Sequence, residues 1–263
     1  LLKRRIFESQ FSPQVVAAVL KDRSIIKEMK RATISNIVID IENSTSKANT
    51  VDPRHYKEVV EEVLDVFSAA CLKWNVTIDK FTGDGVQAFA GAPFSMPDDF
   101  HRVVMATRES MSMLEARKGP LEILWKGPLN VRFAICRGEA LVGFIGKGIF
   151  KSFTALGEIV SCTHRLSSVP PPWTIAVYDW TAANGVTPEF FGFSREQRTI
   201  GDVKGFAGRT FEVAILRPDR GAELADAGRC KECETPLVIE DGVNGLPKIY
   251  CPGCQAQETS RAA

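Results

Sequence analysis

Two aspartates follow short strand-like segments, where their carboxylates could share metal ions. Asp40 comes directly after the apolar run at residues 37–39, and Asp84 lies in a Gly-Asp-Gly turn after a second run. Two carboxylates on adjacent strand ends can hold two divalent cations, and a cation pair of this kind drives in-line attack at phosphorus. Ser44 and Thr45 stand near the start of a following helix, where phosphate oxygens bind readily. The pattern therefore indicates chemistry on nucleotide phosphates.

The segments around these aspartates predict alternating strands and helices. Ser12-Pro13 is a favourable start for a first helix, because serine caps the helix and proline fits its first turn. An amphipathic helix is predicted over residues 54–74, with further helices over 98–117 and 158–166. Strands are predicted at residues 33–40, 76–81, 86–91, 173–178 and 210–215, and a second hairpin around Arg137-Gly138 joins 130–136 to 140–145.

The order of these elements predicts an α+β fold. The first six elements run β-α-β-β-α-β, which predicts a ferredoxin-like antiparallel sheet with helices on one face. We therefore expect an N-terminal helical segment at residues 1–30, a main domain at 31–217 and a small module at 225–258.

Four of the seven cysteines have the spacing of a zinc site. Cys230 and Cys233 form one Cys-x-x-Cys pair, Cys251 and Cys254 form another, and 17 residues separate the pairs. This spacing predicts a zinc ribbon with a structural four-thiolate Zn²⁺ site. Two disulfides are the competing interpretation, which a cytosolic compartment disfavours. The other three cysteines lie in apolar segments and are predicted to be buried.

Composition argues against several functional classes. The formal net charge is +1, so no basic field indicates binding to nucleic acid or a membrane surface. The zinc ribbon also mixes basic and acidic residues, which makes a nucleic-acid adaptor a poor interpretation. No apolar run reaches the roughly 18 residues of a membrane span, and the first residues do not resemble a signal peptide. We expect a cytoplasmic protein without a membrane span.

Five segments together resemble the class III nucleotidyl cyclases, a family of homodimers with a ferredoxin-like catalytic domain. They are Asp40-Ile41-x-x-Ser44-Thr45, Lys80-Phe81-x-Gly83-Asp84-Gly85-Val86-x-Ala88, Gly91-Ala92-Pro93, Phe153-Thr154-x-x-Gly157-x-x-Val160-x-x-x-x-Arg165-Leu166 and Val203-Lys204-Gly205-Phe206. The resemblance covers residues 33–215 in matching order. It implies conversion of a nucleoside triphosphate to a 3′,5′-cyclic nucleotide and pyrophosphate.

The resemblance also implies roles for individual residues. Asp40, Asp84 and the carbonyl of Ile41 would hold two Mg²⁺ or Mn²⁺ ions, while Lys80 and Thr154 of the other subunit read the base. Arg165 would stabilise charge on the α-phosphate, and Lys204 would contact the terminal phosphates. Ser161 replaces an asparagine that orients the ribose in the family, and Glu158 is also unusual for its position. His164 has no partner at a spacing that indicates catalysis or metal binding.

The identity of the base stays open at this point. Lysine with threonine at the two base positions resembles the adenylate cyclase pattern, which makes ATP the direct interpretation. Guanylate cyclases tend to carry an acidic residue at the position of Lys80, so GTP is the less favoured alternative. A compact cyclase with altered residues around the active site also resembles the pyrimidine cyclases of antiphage Pycsar systems, which make cyclic UMP or cyclic CMP. A catalytically silent nucleotide-binding module is the alternative of another class, and the intact Asp40, Asp84, Lys80 and Arg165 argue against it.

Overall fold

A computed structural model describes residues 11–147, 151–178, 188–201, 203–218, 238–241 and 247–250. The helices are α1 (Pro13–Lys21), α2 (Ser44–Ala48), α3 (Pro53–Lys73), α4 (Asp99–Trp125) and α5 (Glu158–Leu166). The strands are β1 (Lys30–Ile41), β2 (Thr77–Thr82), β3 (Gly85–Ala90), β4 (Val131–Ile145), β5 (Ser152–Leu156), β6 (Ile175–Tyr178), β7 (Phe193–Ile200), β8 (Phe211–Pro218), β9 (Val238–Asp241) and β10 (Pro247–Tyr250). Short 3-10 turns lie at Arg23–Ile26 and Pro188–Phe191.

The first eight strands form one mixed sheet. Its order is β2-β3-β1-β4-β6-β8-β7, and β5 also pairs with β4. The predicted α+β class is confirmed, but the prediction of an antiparallel sheet is wrong for one pair, because β4 and β6 run parallel. The chain reaches β6 from the end of β4 through β5 and α5, and a helical crossover of this kind joins parallel strands. Strand β7, at the edge of the sheet, was not predicted from the sequence.

Helices α3 and α4 of the β-α-β-β-α-β unit lie on one face of the sheet, as predicted, and α5 adds a helix on the opposite face. Helices α3 and α4 bury the larger core, in which Val63, Phe67 and Leu114 are fully enclosed. Helix α5 packs on the opposite face, where Cys162 and Leu166 meet small side chains of β4 and β6. Helix α1 covers another part of the domain through a separate apolar cluster. The site residues on α5 are therefore held on the face that α3 and α4 leave open.

The predicted hairpin around Arg137-Gly138 is wrong, because β4 continues through this dipeptide as a single strand. Strand β4 pairs with all of β1, from Lys30 opposite Val142 to Ile41 opposite Val131. Gly138 serves packing rather than a turn. A Cβ at this position would lie 2.7 Å from Cγ2 of Ile159 on α5, which is closer than real side chains approach. Glycine is therefore required for helix α5 to lie directly on the strand.

Helix α4 extends past the predicted end at residue 117 and includes Pro120. Proline inside a helix removes one backbone hydrogen bond and favours a break. Here the turns after Pro120 bury Leu121 and Trp125, and the indole of Trp125 stacks on Tyr56 with ring centroids 5.4 Å apart. Burial of these side chains outweighs the local cost of the proline.

The C-terminal module is described only as the antiparallel hairpin of β9 and β10. The predicted zinc ligands Cys230, Cys233, Cys251 and Cys254 lie outside the described residues. The predicted domain boundaries likewise remain predictions. Across the part of the chain that the structure describes, no helix combines the length and apolarity that crossing a bilayer requires.

One buried histidine makes the stability of the domain depend on pH. His101 of α4 packs edge-on against Phe191, and burial lowers its pKa to about 4 from 6.5. Protonation therefore favours the unfolded chain, in which the imidazole is hydrated. We expect the free energy of unfolding to lose up to about 1.4 kcal/mol for each pH unit as the pH falls between these two values. Chemical denaturation of wild type and His101→Phe at several pH values measures the contribution. Parallel profiles for the two proteins would contradict it.

Candidate active site

Asp40 and Asp84 form the acidic part of the site, and Arg132 lies beside them. Asp40 stands near the end of β1, directly opposite Arg132 of β4 in the register. Nη2 of Arg132 donates to Oδ2 of Asp40 at 3.0 Å, and Nη1 lies 3.5 Å from Oε1 of Glu42. Sequence reasoning did not identify Arg132, although its place in an alternating strand opposite Asp40 follows from the pairing of β1 with β4.

The electrostatics of this group favour a bound cation. Burial raises the pKa of Asp40, the hydrogen bond from Arg132 opposes this rise, and the charge of Asp84 adds to it. Oδ2 of Asp84 is buried and has no hydrogen-bond partner among the described residues. A buried carboxylate oxygen without a donor is costly in the absence of a cation. Asp40 and Asp84 therefore fit Mg²⁺ or Mn²⁺, which prefer oxygen ligands. Among the described residues, no group of three or more acidic, histidine or cysteine side chains is arranged to hold a metal ion, so this pair would need the Ile41 carbonyl, substrate or water as further ligands.

The loop after β1 surrounds the acidic pair. The side chain of Ile41 is buried at the end of the strand, which fixes the position of its carbonyl near Asp40. Ser44 is buried and its hydroxyl bonds to Tyr56, whereas Thr45 is exposed in the first turn of α2. Burial raises the pKa of Tyr56, and the charge of Asp84 adds to this effect. Of the two predicted phosphate-binding hydroxyls, Thr45 is therefore the more accessible in this structure.

Lys80 and Thr154 are in direct contact, although they lie 74 residues apart. Nζ of Lys80 donates to Oγ1 of Thr154 at 2.8 Å. Thr154 donates in turn to Oδ2 of the buried Asp79 at 2.9 Å, and Gln87 donates to the same oxygen at 2.8 Å. Oε1 of Gln87 lies 2.7 Å from Nε2 of His164. The two residues predicted to read the base thus form one polar network with three others.

The remaining predicted residues lie on α5 and in a later loop. Ser161 and Arg165 are exposed and stand one turn apart on the same helix, next to the partly buried His164. Lys204 is exposed in the loop between β7 and β8, where neighbouring Val203 packs under α5. The network through His164 joins α5 to the Lys80–Thr154 pair. Asp40 and Asp84 form a second group near the ends of β1 and β2.

Sequence reasoning missed Asp79, Gln87 and His164, and it judged His164 incidental. A glutamine in an otherwise apolar strand was the one available signal, because a buried polar side chain requires partners. Its partners come from β2 and α5, so neither the chain order nor the spacing reveals them. In the structure the ring of His164 hydrogen-bonds to Gln87, a contact that its spacing in the sequence does not indicate.

Comparisons with known proteins find nucleotide cyclases that are similar to this chain. The chain is 28% identical over 144 residues to Adenylate cyclase 1 of Rhizobium meliloti (strain 1021), which amounts to 53% of this chain and 21% of that protein. It therefore spans about a fifth of the length of this curated relative. No protein-family model matches the chain.

Solved structures of cyclase domains share the fold over about three quarters of this chain. The guanylyl cyclase Cya2 has a TM-score of 0.66 and 23% identity, with 74% of this chain and 97% of that one covered. The adenylyl cyclase CyaB from P. aeruginosa has a TM-score of 0.64 and 23% identity, with 74% and 98% covered. The resemblance to class III nucleotidyl cyclases is thus confirmed for the fold, and relatives with either base preference share it.

Removing the guanidinium of Arg132 should strengthen cation binding to the acidic pair. Arg132→Met leaves the Asp40 and Glu42 carboxylates without their counter-charge, so we expect the metal-free protein to lose roughly 2 kcal/mol of stability. Added Mn²⁺ should raise the melting temperature of this variant by more than that of wild type, since no guanidinium competes for Asp40. Thermal unfolding with and without Mn²⁺ measures both effects.

Arg31→Met is the matched control for this experiment. Arg31 also lies on the sheet and pairs with Glu139, but its side chain is 80% exposed. Exposed ion pairs contribute little, so its loss should leave the Mn²⁺ shift unchanged. An equal Mn²⁺ shift in wild type and Arg132→Met would show that the arginine and the cation do not compete for Asp40.

Proposed function

We propose that this chain is a nucleotidyl cyclase that converts a nucleoside triphosphate to a 3′,5′-cyclic nucleotide and pyrophosphate. The observation that carries the proposal is the grouping of Asp40 with Asp84, whose Oδ2 is buried and has no hydrogen-bond partner among the described residues. Two carboxylates poised for cations, next to an arginine, suit a polyphosphate substrate. The fold shared with class III cyclases supports the same reaction.

The residues of the chain have separate tasks in this reaction. Asp40, Asp84 and the Ile41 carbonyl would hold two Mg²⁺ or Mn²⁺ ions, which lower the pKa of a bound 3′-hydroxyl and neutralise phosphate charge. The 3′-oxygen attacks the α-phosphorus, and the bond to pyrophosphate breaks. Arg165 is exposed and its planar guanidinium suits the α-phosphate oxygens in the transition state.

Other polar groups position the substrate. Arg132 would bind phosphate oxygens through Nη2, the group that donates to Asp40 in the absence of a cation, and Thr45 and Lys204 would bind them as well. Ser161 stands one turn before Arg165 and can bond to the ribose, with a shorter reach than asparagine. Lys80 and Thr154 read the base, for which ATP is the proposed choice. Cyclic UMP or cyclic CMP formation, with a role in antiphage defence, is the alternative.

The active site is proposed to be shared between two subunits of a homodimer. Asp40 and Asp84 would come from one subunit, while Lys80, Thr154 and Arg165 would come from the other. Large apolar side chains support this arrangement, because Leu141 and Leu156 face each other across β4 and β5 and are 43% and 40% exposed. Apolar side chains clustered at a surface favour contact with a partner.

The C-terminal module is proposed to bind a structural Zn²⁺ through Cys230, Cys233, Cys251 and Cys254. The support is the spacing of the four thiols together with the hairpin of β9 and β10, which lies between the two pairs. Zinc analysis of freshly reduced protein tests this assignment. The proposed location is the cytoplasm, where thiols stay reduced and are available to bind the metal.

Loss of either metal-binding carboxylate should abolish turnover. Purified protein with Mn²⁺ and each of the four nucleoside triphosphates should yield a cyclic nucleotide that mass spectrometry identifies. Asp84→Ala should lower kcat at least about a thousandfold, since cations supply several kcal/mol of charge stabilisation. Asp22→Ala, which alters an exposed turn, is the control and should keep activity. No cyclic product from any triphosphate, or near-normal turnover by Asp84→Ala, would refute the proposal.

Two inactive variants should restore activity when they are mixed. Asp40→Ala removes a metal ligand and Arg165→Ala removes the transition-state arginine, so each homodimer lacks working sites. A mixed dimer has one site with both lesions and one with neither. Equal mixing should therefore recover about a quarter of the wild-type sites. Activity that stays absent after subunit exchange, confirmed by differently tagged chains, would argue against a shared site.

A further inference from the structure

A β-bulge in β2 brings the side chain of Asp79 against Lys80 and Thr154, the two residues proposed to read the base. Strand β2 pairs regularly with β3 up to Ile78 opposite Ala88, and the pairing resumes with Lys80 opposite Gln87. Asp79 is the extra residue between them, and its side chain is completely buried. Burial raises the pKa of this carboxyl, while the charge of Lys80 and hydrogen bonds from Thr154 and the Ala155 amide lower it.

The carboxylate determines which way the Thr154 hydroxyl points. An ionised carboxylate only accepts hydrogen bonds, so the Thr154 proton is committed to Asp79 Oδ2 at 2.9 Å. Oγ1 of Thr154 also accepts from Nζ of Lys80 at 2.8 Å. The hydroxyl can therefore offer only an acceptor to a bound base, while the Lys80 ammonium offers donors.

Two further side chains, Gln87 and His164, fix which groups of the network donate hydrogen bonds and which accept them. The amide group of Gln87 donates to Asp79 at 2.8 Å, so its carbonyl oxygen faces His164. Nε2 of His164 must then carry a proton to complete the 2.7 Å contact. Both the neutral ring with this tautomer and the charged ring donate from Nε2. Rotation of the Gln87 amide would break both bonds, so the order of donors and acceptors is fixed from His164 to Thr154.

The depth of the two reading groups differs. Thr154 is 3% exposed and has a short side chain on a strand, whereas the side chain of Lys80 is 41% exposed. The exocyclic group of a base projects beyond its ring and reaches deeper than the adjacent ring nitrogen. A base that enters the site edge first would therefore present its exocyclic group to Thr154 and the ring nitrogen beside it to Lys80.

We propose that Asp79 is a positioning residue that makes this pocket select bases with an exocyclic amine next to an acceptor nitrogen. Adenine and cytosine have this pattern, because the amine donates to Thr154 and the ring nitrogen accepts from Lys80. Hypoxanthine, guanine and uracil reverse both groups, which sets a carbonyl oxygen against the Thr154 lone pair and a ring N–H against the ammonium. This inference rests on the proposed function and deepens it by naming the class of base.

Substrate pairs of equal shape separate polarity from pocket size. ATP and inosine triphosphate differ only in the polarity of this edge, and so do CTP and UTP. The full chain with Mn²⁺ should favour the amino member of whichever pair it accepts by at least about a hundredfold in kcat/KM, since buried polar groups left unpaired penalise the wrong base strongly. Equal use of both members, or preference for the oxo member, would overturn the inference.

Variants test whether Asp79 causes the preference for amino over oxo substrates. Asp79→Asn keeps the shape of the side chain but replaces an obligate acceptor with a group that also donates, so the ratio of amino to oxo substrate should fall at least about tenfold. Asp99→Asn is the matched control. Asp99 is an equally buried carboxyl that bonds to Arg137 and Ser35 away from this pair, and its loss should leave the ratio unchanged. An unchanged ratio in Asp79→Asn would overturn the role of Asp79.

The two proposals can fail separately. If wild type cyclises a triphosphate without regard to the amino or oxo group, the proposed function stands and the inference fails. If wild type cyclises none, the proposed function fails, and thermal shifts with ATP and inosine triphosphate still test the pocket. A larger shift with ATP that Asp79→Asn abolishes supports the inference, and equal shifts overturn it. If Asp79→Asn does not fold, equal use of both members of a pair by wild type still overturns the inference.

Discussion

The pairing of β1 with β4 is the constraint on which the rest of the domain depends. All twelve residues of β1 have a partner on β4, so the register is specified along its whole length. Side chains on paired strands alternate between faces with a period of two. This register turns Ile37 and Ile39 toward the core under α3 and α4, and it sets Asp40 opposite Arg132 on the other face. A slip of one residue would bury the carboxylate and expose the isoleucines.

The face that carries Asp40 also carries α5, and close packing connects the two. Gly138 lets Ile159 approach the strand more closely than any side chain would permit. With α5 at this distance, His164 reaches Gln87 and Arg165 projects from the exposed side of the helix. The polar residues that α5 contributes to the site are thus positioned by one apolar contact at a glycine. This glycine is also the reason that the sequence predicted a turn where β4 continues as one strand.

The elements that depend on local pattern were predictable, whereas features that depend on distant partners were not. Helix α3 and the strands before Asp40 and Asp84 follow from periodicity and turn residues. The motifs also paired Lys80 with Thr154, which are in contact. Strand β4 was divided in two because the packing of α5 on Gly138 does not appear in the local pattern. Arg132, Asp79 and His164 became recognisable only when pairing and packing supplied their partners.

The bulge in β2 has a consequence for how this domain could diversify. A residue in a regular ladder has a partner on the next strand, so its replacement also alters cross-strand packing. Asp79 has no paired residue in the ladder of β2 and β3, and among the described residues its carboxylate is bonded to β3 only through the hydrogen bond from the Gln87 side chain. Exchange of this one side chain can therefore change the chemistry of the pocket while every pair of β2 and β3 is kept. In related domains, one substitution at the position of Asp79 would thus be enough to change which nucleotide is preferred without a change of fold.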